Sequence, residues 1–321
     1  MVIKFFGTRG SIPVSGPEKN KFGGNTTSLM IESDSLPRGV RLVIDTGSGF
    51  VPLSYESLHQ GIKKFIILYT HYHYDHTIGL TLAPVTFIKS IEIKAYGPQE
   101  LGVGPGKMME MLFKPPFFPV DFKELKSHFK FKGIEFPNSM VMIIHRDGGT
   151  KVFTMDQFEN FENNGAMIPF NKGCKYKLED CLVIKMHRSN HPERTISYRI
   201  EERKTGKVFV FLTDHENQDG IPQNFLSHIN QADLLVMDAQ YDRERYDKMT
   251  AGFGHGTPDY CVKTALAANA RMLGLTHHDP TSTDDKIEFI VNEAKEYLRE
   301  EEGKPELDVF ACKDYQEIEL N

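Results

Sequence analysis

The sequence predicts an α/β protein of two mixed halves, with sheets inside and helices outside. Short apolar runs bounded by Gly-containing turns recur as strand candidates, and longer helical patterns fall between or after them. The order along the chain is β-rich, helix, β-rich, helix. The third observation is a cluster of ionisable side chains placed where one of the strands must end.

In the first half, strands are expected at residues 2–6, 28–31, 41–44, 65–69 and 91–95. A second set is expected at 181–186, 196–200, 208–212, 234–237 and 272–275, with helical patterns at 99–112, 242–249, 258–268 and 287–299. Residues 97–137 break the rhythm with Gly/Pro punctuation and exposed-looking Phe and Met. This stretch reads either as a lid or partner-binding arm or as an ordinary surface excursion. Residues 138–180 read as a further insertion, polar and Phe-rich, so a lid or insertion is expected across 97–180 of a chain that otherwise forms one domain over 1–321.

Composition narrows the function classes. Lys+Arg 38 against Asp+Glu 44 gives a net charge of −6, so no global basic field exists to hold a polyanion, and a long nucleic acid is disfavoured as partner. The N-terminal strand is too short for a secretory signal core and no run of 18 apolar residues occurs, so a cytoplasmic protein without a membrane span is expected. Cys174, Cys181, Cys261 and Cys312 form neither a CxxC pair nor a dense framework and read as free thiols.

The chemistry is concentrated at residues 70–76, THYHYDH, which follow the apolar run FIILY. His71 and His73 are two apart and leave the same face of an extended chain. Asp75 and His76 are expected on the turn into TIGLTLAPVTF, a segment that reads as a helix with Thr77 as its cap. Imidazole and carboxylate are the donors preferred by Zn, Mn or Fe, and so many polar rings would be costly to bury without a partner. Further candidates top other strands: His191 after CLVIKM, Asp214 after VFVFLT and His277 after RMLGLT. A sheet that aligned these strands would gather their tips at one edge.

In this order, Asp45 in RLVIDTGSG, the THYHYDH cluster, His191, Asp214 and His277 resemble the five motifs of the metallo-β-lactamase fold superfamily. GTRGSIP near the N-terminus, GGNTTS at 23–28 and FGHGT at 253–257 make the chain most similar to the ribonuclease Z-like phosphodiesterase branch. The resemblance implies a four-layer αββα sandwich with two divalent metals, zinc expected, manganese or iron as alternatives. It implies one metal on His71, His73 and His191, a second on Asp75, His76 and His277, and Asp214 bridging. Asp45 would orient a ligand imidazole from behind, and a homodimer is expected. By resemblance the ligand of the tandem pair is His277, with His278 turned away.

The reading is a dinuclear phosphodiesterase acting on small phosphodiesters, cyclic nucleotides above all, by attack of a metal-bound hydroxide that Asp75 orients, accepting its proton as the new P–O bond forms. His255 is the feature expected to favour phosphodiesters. It precedes Thr257 and Pro258, which read as the cap and first residue of a helix, so an imidazole and free N–H groups are offered together. It would stabilise transition-state charge or protonate the leaving oxygen. Two rivals remain: a tRNA 3′-end processing endonuclease, disfavoured because residues 97–119 carry only Lys107 and Lys114, and a non-catalytic metal-dependent nucleotide-binding protein. Where relatives have Gly after NHP, this chain has Glu193 and Arg194, which would alter the substrates admitted if they face the cleft. His59, His128, His145 and His228 lack ligand context and are expected at the surface; His187 reads as strand and His215 as a supporting or exposed group.

Overall fold

The computed structural model describes the chain except residues 100–101, 126–127, 136–139, 171–172, 217–219 and 302–305. The strands follow from side chains that alternate between the two faces. In Lys64–Leu68, Phe65 and Ile67 point to one apolar layer while Ile66 and Leu68 point to another, so both faces of the strand are covered.

The first sheet contains β1 (Val2–Gly7), β2 (Ser28–Glu32), β3 (Val40–Ile44), β4 (Lys64–Leu68), β5 (Glu92–Pro98) and β6 (Phe129–Ile134). The second contains β7 (Met140–His145) and β8 (Gly149–Thr154), then, after a small hairpin β9 (Ile168–Pro169) and β10 (Lys175–Tyr176), β11 (Leu182–Ser189), β12 (Thr195–Glu202), β13 (Lys207–Leu212), β14 (Leu234–Asp238), β15 (Met272–Thr276) and β16 (Asp308–Ala311). The chain then returns β17 (Glu317–Glu319) to the edge of the first sheet beside β1. Each sheet is antiparallel in one half and parallel in the other: β3 to β6 run parallel, as do β13 to β16.

One apolar layer lies between the sheets, joining Phe5, Leu29 and Ile66 to Ile184, Ile196 and Phe209. On the outer face of the first sheet pack α1 (Phe50–His59) and α3 (Pro105–Leu112); between them in sequence lies the short α2 (Tyr74–Thr77). The outer face of the second sheet is covered by α4 (Met155–Asn164), α5 (Gln223–Ile229), α7 (Pro258–Ala267) and α8 (Asp284–Glu300), with the one-turn α6 (Arg243–Arg245) beside them. Helix, sheet, sheet and helix make four layers, as the sequence predicts. No described helix is long and apolar enough to cross a membrane.

Several expectations are corrected. Asp75 and His76 lie inside α2, whose N-cap is His73, and in place of a longer helix come two short 3₁₀ helices, Ile78–Thr81 and Pro84–Thr86; Thr77 precedes the first without a capping bond from its side chain. The helix expected over 99–112 begins only at Pro105, the ring fixing the first helical position; residues 100–101 lie outside the described residues. Residues 97–137 are not wholly an excursion, since Phe129–Ile134 pairs with β5 at the edge of the first sheet, and residues 140–154 are not an insertion outside the sheets. The alternating run Met140–His145 pairs with β11, so β7 and β8 complete the edge of the second sheet. The segment expected as helix over 242–249 is the turn α6 widening into a π-helical turn, Tyr246–Thr250.

His128, His145 and His228 are buried, not at the surface; His59 is exposed at the end of α1. His128 donates from Nε2 to the Thr86 carbonyl at 2.8 Å, and His145 stacks on Tyr176 with centroids 3.7 Å apart. His228 meets Ser197 Oγ at 3.1 Å, and burial, aided by His187, Arg199 and Lys185, holds it well below the ordinary histidine value. Unfolding therefore lets His228 bind a proton as pH drops through about 6.5, and stability present above that value is lost below it. His228→Asn should flatten the fall in unfolding free energy between pH 7.5 and 5.5 by up to about 1.4 kcal/mol per pH unit, read by denaturant titration at each pH. Parallel pH profiles for the two proteins would show that the histidine contributes nothing to acid sensitivity.

Candidate metal centre

The parallel halves of the two sheets bring their C-terminal strand ends to one edge, and the ionisable residues stand there. Asp45 follows β3, His71 and His73 follow β4, Asp214 follows β13, Asp238 ends β14 and His277 follows β15. Asp45, Asp214 and His277 all adopt left-handed backbone, with φ of 57°, 49° and 60°. Such conformations cost about 1–3 kcal/mol in non-glycine residues and cluster where side chains must be aimed. Gly10 is required by close approach, because a Cβ there would lie 2.4 Å from the His277 ring. The same GTRG turn is anchored by fully buried Arg9, which donates to the Asp279 and Ser282 carbonyls at 3.0 and 2.7 Å.

All seven candidate ligands converge. Donor atoms of His71, His73, His191 and Asp214 lie within 4.8 Å of one another, and so do those of Asp75, His76 and His277. Asp214 faces both groups: Oδ2 is 3.5 Å from His71 Nε2, while Oδ1 is 3.3 Å from His76 Nε2 and 3.4 Å from His277 Nε2. Asp75 Oδ2 is 3.0 Å from His277 Nε2 and 3.3 Å from His76 Nε2. Neighbouring ligands on one ion with bonds of about 2.0–2.2 Å stand about 3.0–3.6 Å apart.

The far side of four of the five candidate rings is tied down. His76 Nδ1 lies 2.8 Å from Asp45 Oδ2, His191 Nδ1 donates to the Gly254 carbonyl at 3.0 Å, and His277 Nδ1 pairs with Gln240 Oε1 at 3.0 Å. His71 Nδ1 is 3.1 Å from Thr70 Oγ1, whose hydroxyl donates to Asp45. Such contacts leave Nε2 aimed inward, the arrangement that orients metal-binding histidines. His71 Nε2, His191 Nε2 and Asp214 Oδ2 are buried without a hydrogen-bond partner. An unsatisfied buried polar atom is costly, and a divalent cation would satisfy all three at once, so the residues fit the metals that the fold implies. Burial opposes charge on His277, yet Asp214, Asp75 and Asp238 together push its imidazole up to about 9. Metals binding here would displace protons.

His278 faces the other way, with Nε2 donating to the Cys312 carbonyl at 2.8 Å and its ring edge-on to Phe22. His277→Ala should cost the second metal position, whereas His278→Ala should keep the metal complement and lower the melting temperature. Elemental analysis and thermal melts of the two variants check this; loss of metal from the His278 variant alone would reverse the register. His215 is buried, accepting from the Asn190 N–H and meeting Tyr260 Oη at 2.8 Å, and so serves packing. His187 is half-buried at the end of β11.

His255 stands beside the group, its ring stacked on that of His277 with centroids 4.9 Å apart. An imidazole nitrogen lies within 4.8 Å of donor atoms of Asp214 and His277. Thr257 is the N-cap of α7 and Pro258 its first residue. Asp238 is a functional residue that sequence reasoning missed: its Oδ2 is 2.7 Å from His255 Nδ1. Burial disfavours the charged ring, but Asp238 prevails and raises His255 above the ordinary histidine value. A carboxylate closing LLVMD, like the others at a strand end, was the available signal. Glu216 was also missed; its carboxylate accepts from the Gly252 and Gly254 N–H groups, each at 2.7 Å, and so shapes the loop that carries His255.

A cleft of about 590 Å³ opens onto Asp75, Asp214, His255 and His277. The same cleft is lined by apolar side chains of the α3 region, Met108, Met109, Met111, Leu112 and Phe117.

The model of the β-lactamase superfamily domain matches residues 40–278. The ribonuclease Z of Prochlorococcus marinus (strain MIT 9515) is 29% identical over 70% of this chain and 73% of its own length. That of Clostridium acetobutylicum is 23% identical over 88% of this chain and 89% of its own. Among solved structures, the human short-form tRNase Z superposes with a TM-score of 0.58 at 19% identity, covering 100% of both chains.

Proposed function

Because the chain belongs to the metallo-β-lactamase superfamily, on its ribonuclease Z-like branch, and is a metal-dependent hydrolase, we propose that it cleaves small phosphodiesters, cyclic nucleotides foremost. The observation that carries this reading is the cleft of about 590 Å³ whose lining combines members of both donor groups and His255 with the Met and Phe side chains of the α3 region. Its volume suits a mononucleotide-sized ligand, and sulfur and aromatic faces suit a flat ring.

His71, His73 and His191 would hold one ion, Asp75, His76 and His277 the second, with Asp214 between them; zinc is the proposed metal. When bound, such a pair supplies Lewis acidity and an ionised water near neutral pH. The protein's own groups do the rest. Asp75, fixed by the Ser11 N–H at 2.7 Å from Oδ2, orients the attacking oxygen and takes its proton. Asp45 accepts from the Thr70 N–H and hydroxyl and fixes His76 from behind. Asp238 holds His255 through Nδ1, leaving Nε2 to donate to a phosphoryl or leaving oxygen.

A tRNA 3′-end endonuclease is the second reading, favoured by the ribonuclease Z relatives. Against it, α3 does not stand out as a gripping arm: Met109 and Phe113 are buried in the outer layer of the first sheet. A hydrolysis screen over 2′,3′- and 3′,5′-cyclic nucleotides, linear dinucleotides and precursor tRNA at equal metal loading separates the two. Efficient trimming of precursor tRNA with inert cyclic nucleotides would overturn the proposal.

A further inference from the structure

The loop joining β11 to β12 carries His191 and, two residues on, Glu193. Both ends of the loop are pinned. Asn190 donates through its side chain to the Glu216 carbonyl at 2.6 Å, and Ile196 donates its N–H to the Thr70 carbonyl at 2.9 Å. Arg194 reaches across to the Gln99 carbonyl at 3.4 Å. The loop so held places the Glu193 carboxylate against the first donor group: Oε2 lies 3.1 Å from His73 Nε2 and 3.6 Å from His191 Nε2. These are the separations of about 3.0–3.6 Å expected for ligands sharing one ion. His73 is the exposed member of its group, 44% exposed against 1% for His71 and for Asp214, so the open side of the group is the side on which Glu193 stands.

We propose that Glu193 supplies an additional carboxylate ligand to the first metal position, so that this chain's centre is richer in oxygen than three imidazoles and the shared Asp214 make it. The inference rests on the dinuclear reading above and concerns a residue outside its ligand set. A harder donor on a solvent-facing edge raises the coordination number and favours Mn or Fe relative to a four-coordinate zinc site.

The test uses the full-length protein reconstituted with Co(II) or Zn(II), comparing wild type, Glu193→Gln and Glu193→Ala. At 56% side-chain exposure, neither substitution removes core packing, and equal melting temperatures after chelator treatment confirm intact folds. Both variants should give up one of two ions to a competing chelator with an affinity lowered by at least the roughly 10–100-fold that follows loss of a group merely supporting a ligand. The visible absorption of the Co(II) protein should strengthen in the variants as the coordination number of one ion falls. Identical chelator profiles and Co(II) spectra would overturn the proposal. So would a rise in kcat/KM without change in metal affinity, which would make Glu193 a charge filter for substrate. If wild type bound no metal at all, the dinuclear reading itself would fall.

Discussion

Asp214→Ala should strip the protein of both metals and reduce phosphodiester hydrolysis to background, the largest loss expected of any single substitution. No other described carboxylate faces both donor groups, with Oδ2 toward His71 and Oδ1 toward His76 and His277. Removing it takes away the carboxylate shared by the two donor groups, so each metal position loses a ligand. His73→Ala, in contrast, touches only the first group and should lose one ion and most activity. Because the donors come from strands and loops that meet only on folding, metal binding and folding are linked. At metal concentrations about a thousandfold above Kd, the stabilisation is about 4 kcal/mol, so the wild type should lose a comparable amount on chelation and Asp214→Ala none. Elemental analysis and melts with and without chelator measure both effects. Two ions per chain in Asp214→Ala would refute this ligand assignment.

His255→Ala should keep both metals and the fold while lowering kcat on a cyclic nucleotide by roughly 10²–10⁴, the range for one acid or oxyanion-type contributor. KM should change far less, since a contact made mainly in the transition state leaves substrate binding nearly alone. The Asp238 contact adds a second variant. Asp238→Asn removes the charge at 2.7 Å from His255 Nδ1 and should reproduce part of the kcat loss; because Asp238 Oδ1 also stands 4.0 Å from His277 Nδ1, metal content is measured alongside kcat. A p-nitrophenyl ester, whose leaving oxygen needs no proton, should suffer less than the cyclic nucleotide if His255 protonates that oxygen, and equally if it stabilises charge on the phosphoryl group. Loss of a metal from His255→Ala would make it a ligand, and unchanged turnover of both substrates would reduce it to a loop residue.

The sequence by itself determined ten of the seventeen strands among the described residues, and where the chemistry sits on them. The unbroken apolar run Phe65 to Leu68, buried on both faces, is a local property, so composition alone locates β4, and the residue types that follow it announce metal chemistry. Tertiary structure alone decided what each side chain does. That Met140–His145 belongs to the second sheet depends on pairing with β11, some forty residues away, which no local pattern encodes. The burial of His128, His145 and His228 likewise depends on what packs over them. The choice between His277 and His278, the two-sided use of Asp214, and the approach of Asp238 to His255 and of Glu193 to His73 all depend on strand register and on left-handed turns at the sheet edge. A one-residue slip there would turn every one of these side chains to the opposite face, because successive residues of a strand point to opposite sides.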